Sequence, residues 1–292
     1  MKAWMSRWML GWMLVAGCSG VARAQSAGEM QSASPPQRPG ENEEQHGRRL
    51  LNEMLKALGG DAWLNRRTMY REGQVAAFFR GQPTGSVVRF AEYKRFADAS
   101  TQERTRIEFL TVRGMIAPGM KHDVVHLWTG DQGYELTYKG RTPLPAAQVE
   151  DYMRRRSHSL EEVMRTWVKA PGVMIVANGT GMRDRRPVDK VSVLSANNDA
   201  VELELDEDTH LPLQRSFEWR NQQFKDHDLD EEVYGDWRVF DGVETPMNMT
   251  RYRNGDMVDQ SFYTKVSFGR VMGEEHFDAD RTNGKGRPNG KK

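Results

Sequence analysis

VELELDEDTHLPLQRSFEW, residues Val201–Trp219, is the stretch that decides the fold. Val201, Leu203 and Leu205 alternate with Glu202, Glu204 and Asp206, and the chain returns as Leu211, Leu213, Arg215, Phe217 and Trp219. A period of two, apolar on one side and charged on the other, belongs to an antiparallel strand with one wet face. Asp206–His210, between the two runs, has the residues of a turn.

The same alternation extends outward in both directions. Val75, Ala77 and Phe79 share one face of a first strand. Val124, His126 and Trp128 share another, and after Thr129-Gly-Asp-Gln-Gly133 the chain resumes with Tyr134, Leu136 and Tyr138, a hairpin. Val233, Trp237 and Val239 belong to a further strand, and Met247, Met249 and Arg251 to the next. Asn254-Gly255 is a strong hairpin turn, from which Val258, Phe262, Val266 and Phe268 return. About nine to eleven strands are expected between residues 68 and 268, mostly in consecutive hairpins. The fold class is therefore mainly β (α+β). We expect a single curved, unclosed antiparallel barrel-like sheet with helices lidding its concave apolar face.

Helical periodicity is confined to two regions. In Glu43–Leu58, Leu50, Leu51, Met54, Leu55 and Leu58 recur at spacings of three and four, and Gly59-Gly60 ends the helix. Between Pro145 and Val168, Val149, Tyr152 and Met153 are followed by Leu160, Val163, Met164 and Trp167. Ser157-His-Ser159 breaks this region into two helices, and Ser159 with Glu162 resembles a capping box. Both stripes read as helices packed on a core. The second pair is the expected plug of the concave face, and a loose plug leaves an apolar cavity. Strand parity nominates Phe79, Trp128, Leu136, Phe217, Trp219 and Met249, with Trp167 of the plug, as its lining.

The N-terminus reads as an export signal. Lys2 and Arg7 precede an apolar run, Trp8–Ala16, that is shorter than the about 20 residues of a membrane-spanning helix. Two processing sites compete. Val15-Ala16-Gly17-Cys18 fits a bacterial lipobox, which would place a diacylglycerol on Cys18 and tether the protein to a membrane. Ala22-Arg23-Ala24 fits an A-x-A site, which would release a chain beginning at Gln25. Both stay open; either places the working protein in the periplasm or at the periplasmic face of the outer membrane. Residues 25–45 are rich in Ser, Pro, Gly, Gln and Glu and read as a flexible linker, and 279–292 as a disordered tail. The domain is expected over 46–278.

Composition narrows the function. Cleavage at the lipobox lowers the Lys and Arg count from 42 to 40 against 41 acids, and cleavage after Ala24 removes one more. A net charge of −1 or −2 gives no footing for nucleic acid. Cys18 is the only cysteine, so neither an intramolecular disulfide nor a cysteine zinc site is expected. The mature chain keeps 13 Met and five Trp, side chains suited to an adaptable apolar lining or simply to a core.

Catalytic and metal motifs do not assemble. His122 and His126 have the i, i+4 spacing of a metalloprotease helix, but their neighbours read as a strand, which separates them by about 13 Å. There is no G-x-S-x-G and no P-loop, and Gly179-Thr-Gly181 reads as a turn or bulge. Asp226–Glu232 is a dense acidic run without the spacing of an EF-hand, read as a solvated turn. Arg154–Arg156 and Arg183–Arg186 are basic clusters, read as solvated faces or contacts to anionic headgroups. No catalytic residue, metal or cofactor is expected.

Several segments together carry a resemblance. They are the helix ending in Gly-Gly, the strand YREGQVAAFF (Tyr70–Phe79), the W-x-G-D-x-G-Y hairpin (Trp128–Tyr134) and a helical insertion. LELDEDTHLPLQR (Leu203–Arg215), YGDWRVFDGVETP (Tyr234–Pro246) and RNG (Arg253–Gly255) follow. Over about residues 45–277 this is similar to the outer-membrane lipoprotein carriers and receptors of the LolA/LolB type and their exported bacterial relatives. The resemblance implies an unclosed antiparallel barrel whose helices lid an apolar cavity that receives lipoprotein acyl chains. It transfers no functional residue, and the motifs identify no counterpart of the arginine with which the carriers hold the lid shut. The expected function is an exported, non-enzymatic carrier or binding protein for a hydrophobic ligand, lipid or lipoprotein acyl chains. The alternatives are an envelope structural or assembly factor without a small ligand and, less favoured, a hydrolase.

Overall fold

The computed structural model describes residues 38–98, 100–110, 124–137, 139–221 and 226–280. The stretch read as an export signal, Cys18, most of the stretch read as a linker, His122, Tyr138 and the residues beyond Asp280 lie outside the described residues.

The first helix, α1, spans Glu43–Leu58. Asn42 and Gln45 cap it reciprocally, each side chain accepting the other's backbone N–H, and Gly59 at φ 119° closes it. The helix thus takes in the last three residues read as linker. Leu50, Leu51, Met54 and Leu58 form its buried stripe. The short helix α2 (Asp61–Leu64) follows and buries Trp63.

Among the described residues thirteen strands then form one sheet: β1 (Thr68–Phe79), β2 (Gln82–Arg95), β3 (Arg104–Leu110), β4 (Val124–Thr129), β5 (Gln132–Thr137), β6 (Gly140–Pro143), β7 (Met174–Arg183), β8 (Arg186–Leu194), β9 (Ala200–Asp206), β10 (Pro212–Asn221), β11 (Asp226–Phe240), β12 (Val243–Arg253) and β13 (Asp256–Phe268). Thirteen exceeds the nine to eleven expected, because pieces such as β6 are too short to show alternation. The acidic run Asp226–Glu232 is corrected as well: Asp226–Glu232 is the first half of β11 and not a solvated turn, and Asp230 is fully buried. Asp241-Gly242 and Asn254-Gly255 make two-residue turns with φ of 51° and 78°, and 52° and 80°, the positive pair that tight hairpins require.

The strand order is β6-β5-β4-β3-β2-β1-β13-β12-β11-β10-β9-β8-β7, antiparallel throughout, with β6 and β7 as unjoined edges. These edges are consecutive in sequence. The chain between them forms α3 (Ala146–Ser157), α4 (Leu160–Arg165) and a 3₁₀ turn at Trp167–Lys169. The expected break falls at His158, and the Ser159 hydroxyl accepts the Glu162 N–H.

One core lies on the concave face, where α1 and α4 meet β7–β10: Leu51, Met54, Val163, Ile175, Val191, Leu203 and Phe217. Full burial of such a side chain contributes about 1.5–3 kcal/mol. Phe90, Met247, Tyr263 and Val266 form a second concave cluster. A third lies on the opposite face: Tyr70, Val125, Leu127 and Leu136, covered by Met272 and Phe277 of the C-terminal segment. Leu136 pairs with Val125, and Trp128 with Gly133. Leu136 therefore belongs to the convex face, one residue out of phase with the lining nominated by parity.

Candidate functional site

The site is a cavity of about 260 Å³ between the concave face and α3–α4. The ends of α1 and α2 and the strands β12 and β13 supply Leu58, Trp63, Val243, Met249 and Phe268; β11 adds Trp237. Charged side chains share the wall: Arg71, Glu92 and Lys94 from β1 and β2, Glu232 from β11, and Arg155, Arg156 and Glu161 from the helices, with Met69, Ile107 and Leu160 among them. The expectation of an apolar cavity thus holds for part of the lining only.

The charges are organised as ion pairs. Arg66 reaches Glu161 at 2.8 Å, Lys94 reaches Glu103 at 3.0 Å, and Arg71 pairs with Glu92. Burial pushes the Glu161 carboxyl up, but Arg66 and Lys94 together outweigh it and hold the group at about 2. Burial lowers Arg66 to about 10, against the opposing pull of Glu161. Burial raises the Tyr263 phenol to about 12, partly offset by Arg71, which lies 4.3 Å from its ring. Buried pairs of this kind cost desolvation and hold only if each partner stays in place.

A second network ties the helical lid to the sheet. Arg215 is fully buried on β10 and donates to the carbonyl oxygen of His158, at the α3–α4 corner, at 3.0 Å. The same guanidinium lies 3.0 Å from Glu232, which accepts the Tyr234 hydroxyl at 2.9 Å. Burial raises Glu232, but Arg215 and Tyr234 turn the balance and leave it below its ordinary value. Asp151 of α3 bridges Arg155 and Arg253, and Arg251 lies 3.7 Å away. Arg215 was invisible as a lid contact in the sequence, where it stood as one polar residue in an apolar strand.

Aromatic contacts complete the attachment. Trp128 of β4 stacks on Tyr152 of α3 with ring centroids 3.8 Å apart and planes within 7°. His158 stacks on Phe217 at 4.2 Å and meets Trp167 edge-on at 5.4 Å. Arg154 and Arg253 lie over the Trp219 ring at 4.6 and 5.3 Å. Arg154–Arg156 are therefore lid contacts rather than a solvated face: Arg156 also donates to the Gly130 carbonyl at 2.7 Å.

Of the seven nominated residues, Met249 lines the cavity. Trp128, Trp167, Phe217 and Trp219 hold the lid, Leu136 lies on the convex face, and Phe79 is 69% exposed at the β1–β2 hairpin. Among the described residues no group of three His, Cys, Asp or Glu side chains is placed to hold a metal ion.

The fold and its cavity define a class: open antiparallel barrels with a helical lid. No protein-family model and no curated protein matches the sequence. Solved structures do match. A DUF1329 family protein from Desulfovibrio piger superposes on 82% of this chain and 98% of its own, with a TM-score of 0.54 at 12% identity. A domain of outer membrane lipoprotein-sorting type from Vibrio parahaemolyticus covers 80% of this chain and 97% of its own, with a TM-score of 0.51 at 9% identity. A LolA superfamily protein from Nitrosomonas europaea aligns over 82% of this chain at 10% identity, with a TM-score of 0.48. The chain shares the fold of the first two of these structures.

Proposed function

We propose that this protein is an exported, non-enzymatic carrier or binding protein of the cell envelope. It holds a hydrophobic ligand, an acyl chain of a lipid or lipoprotein, between the sheet and α3–α4. The observation that carries this reading is the lid. The connection between the two unjoined sheet edges crosses the concave opening, and α3 has no fully buried residue of its own. An element held by a few polar and aromatic contacts opens at lower free energy than the core beneath it. Opening would join the cavity to the aromatic surfaces of Trp167, Phe217 and Trp219. Exposed Phe79 would be a contact for the incoming ligand, and lipidated Cys18 would keep the domain at the membrane.

A second reading, an envelope assembly factor without a small ligand, is favoured by the ion pairs that occupy much of the cavity wall. Lipid extraction and intact-mass spectrometry on protein purified from its native envelope separate the two. Stoichiometric acyl species support the carrier. Empty protein that also refuses a fluorescent fatty acid supports the assembly factor. The same spectrum reports a diacylglycerol on Cys18 or a chain starting at Gln25.

A further inference from the structure

A second cavity, of about 700 Å³, opens where β1 begins and β13 ends. It shares Arg66, Val243 and Phe268 with the inner cavity, so the two adjoin through these side chains. Its volume falls within the about 300–1,000 Å³ of small-ligand sites. We infer that this outer cavity is the head-group site of the binding protein proposed above, and that its ligand is a single-chain amphiphile with an anionic head. The head, a carboxylate or phosphate, is met by Arg66 and Arg67, with Arg270 at the rim, and the chain runs past Phe268 and Val243.

The charges at this mouth favour an anion. Arg66, Arg67, Arg95 and Arg270 line it, against Asp98 and Asp241. Both carboxylates are engaged by backbone: Asp98 accepts the N–H groups of Ser100 and Thr101, and Asp241 accepts the Phe268 N–H. Arg95 is tied to Glu274 and to the Met272 carbonyl. Arg67 and Arg270 are exposed, and among the described residues neither sits at ion-pair distance from a carboxylate. Arg270 instead lies 3.8 Å over the Tyr70 ring.

The wall behind them is positive too. Arg66, Lys94 and Arg165 converge on the buried Phe96 ring at 4.8, 5.1 and 4.5 Å. Arg66 and Lys94 pair with Glu161 and Glu103, whereas Arg165 donates to the carbonyls of Arg66 and Trp63 and feels Glu161, Glu103 and Glu162 only at longer range. The Nε atoms of Arg66 and Arg165 are buried without a hydrogen-bond partner. Of the two, Arg66 lines both cavities and Arg165 lines neither; an orphaned guanidinium donor beside a ligand-sized space is what an oxyanion satisfies, because charge-assisted bonds to carboxylate or phosphate are the strong ones.

The test uses delipidated full-length protein and titrates palmitate, hexadecanol, lysophosphatidate and lysophosphatidylcholine at low salt. We expect palmitate to bind at least about tenfold more tightly than hexadecanol, which has the same chain. The double substitution Arg67→Ala and Arg270→Ala, at exposed positions, should weaken palmitate about tenfold and leave hexadecanol unchanged. If lysophosphatidate loses more than palmitate in the variant, the head is a phosphate; the reverse order assigns a carboxylate. Equal affinity for palmitate and hexadecanol, untouched by the double substitution, overturns the head-group site and leaves the carrier reading standing. Failure of all four probes to bind overturns both.

Discussion

Arg215 on β10 donates a 3.0 Å hydrogen bond to the carbonyl oxygen of His158, and so joins the innermost charge of the sheet to the corner of the lid. Arg215→Met removes that bond and leaves Glu232 and Asp230 buried beside an apolar side chain. Loss of one partner from a buried pair costs about 3–5 kcal/mol. Urea denaturation followed by tryptophan fluorescence measures it. Arg215→Met with Glu232→Leu should recover part of the loss, because two apolar residues leave one fewer orphaned charge. A cost under about 1 kcal/mol for Arg215→Met would show that the contact does not hold the lid.

Gly133 lies opposite Trp128 in the β4–β5 hairpin, and a Cβ there would meet the indole ring at 2.5 Å. This is the physical content of the W-x-G-D-x-G-Y pattern: the glycine leaves room for the ring that stacks on Tyr152. Gly133→Ala should destabilise by about 1–3 kcal/mol through overpacking. It should also weaken the near-ultraviolet circular dichroism of the stacked pair. An unchanged aromatic spectrum would mean that Trp128 takes no orientation from Gly133.

Two groups tie the lid's stability to pH in the same direction. Glu161 is held at about 2 in the folded protein against 4.5 as an ordinary glutamate. Its contribution is complete above pH 4.5 and is lost as pH falls through about 2. Burial lowers His158 below 6.5, so the unfolded chain protonates first. Its contribution is complete above pH 6.5, declines as pH drops, and levels off below the folded value. Urea midpoints measured from pH 8 to 2 should fall in two stages. Glu161→Gln should flatten the lower stage and His158→Gln the upper. A Glu161→Gln protein with an unaltered acid limb would remove Glu161 from the account.

Phe277 and Met272 cover an apolar cluster on the convex face. Phe277→Ala should cost about 3 kcal/mol by the cavity it leaves. Light scattering should detect association as Tyr70, Val125, Leu127 and Leu136 lose their cover. A soluble, equally stable variant would show that the C-terminal segment is dispensable for this face.

The helix Glu43–Leu58 was legible because its signals are local: capping residues, a stripe at spacings of three and four, and a glycine end. So were the break at His158 and the turns at Asp241-Gly242 and Asn254-Gly255, each set by its own few residues. Parity placed Phe217 and Trp219 on the lid side, since β10 is apolar on one face there. It misplaced Leu136 because β4 carries apolar residues on both faces, and a period of two states that faces differ without stating which one is concave; the register sets Tyr134 and Leu136 opposite Leu127 and Val125.

By itself the sequence determined the elements, the antiparallel class and the position of the helical insertion, because periodicity, capping and turn chemistry act over a few residues. Only the tertiary structure decided that Arg215 meets His158 across 57 positions, that Arg66 meets Glu161 across 95, and that Asp230 of an acidic run is fully buried. Those partnerships depend on how far the sheet curls before its lid crosses it, and that curvature is the summed result of twelve strand pairings and their packing on α1, α3 and α4.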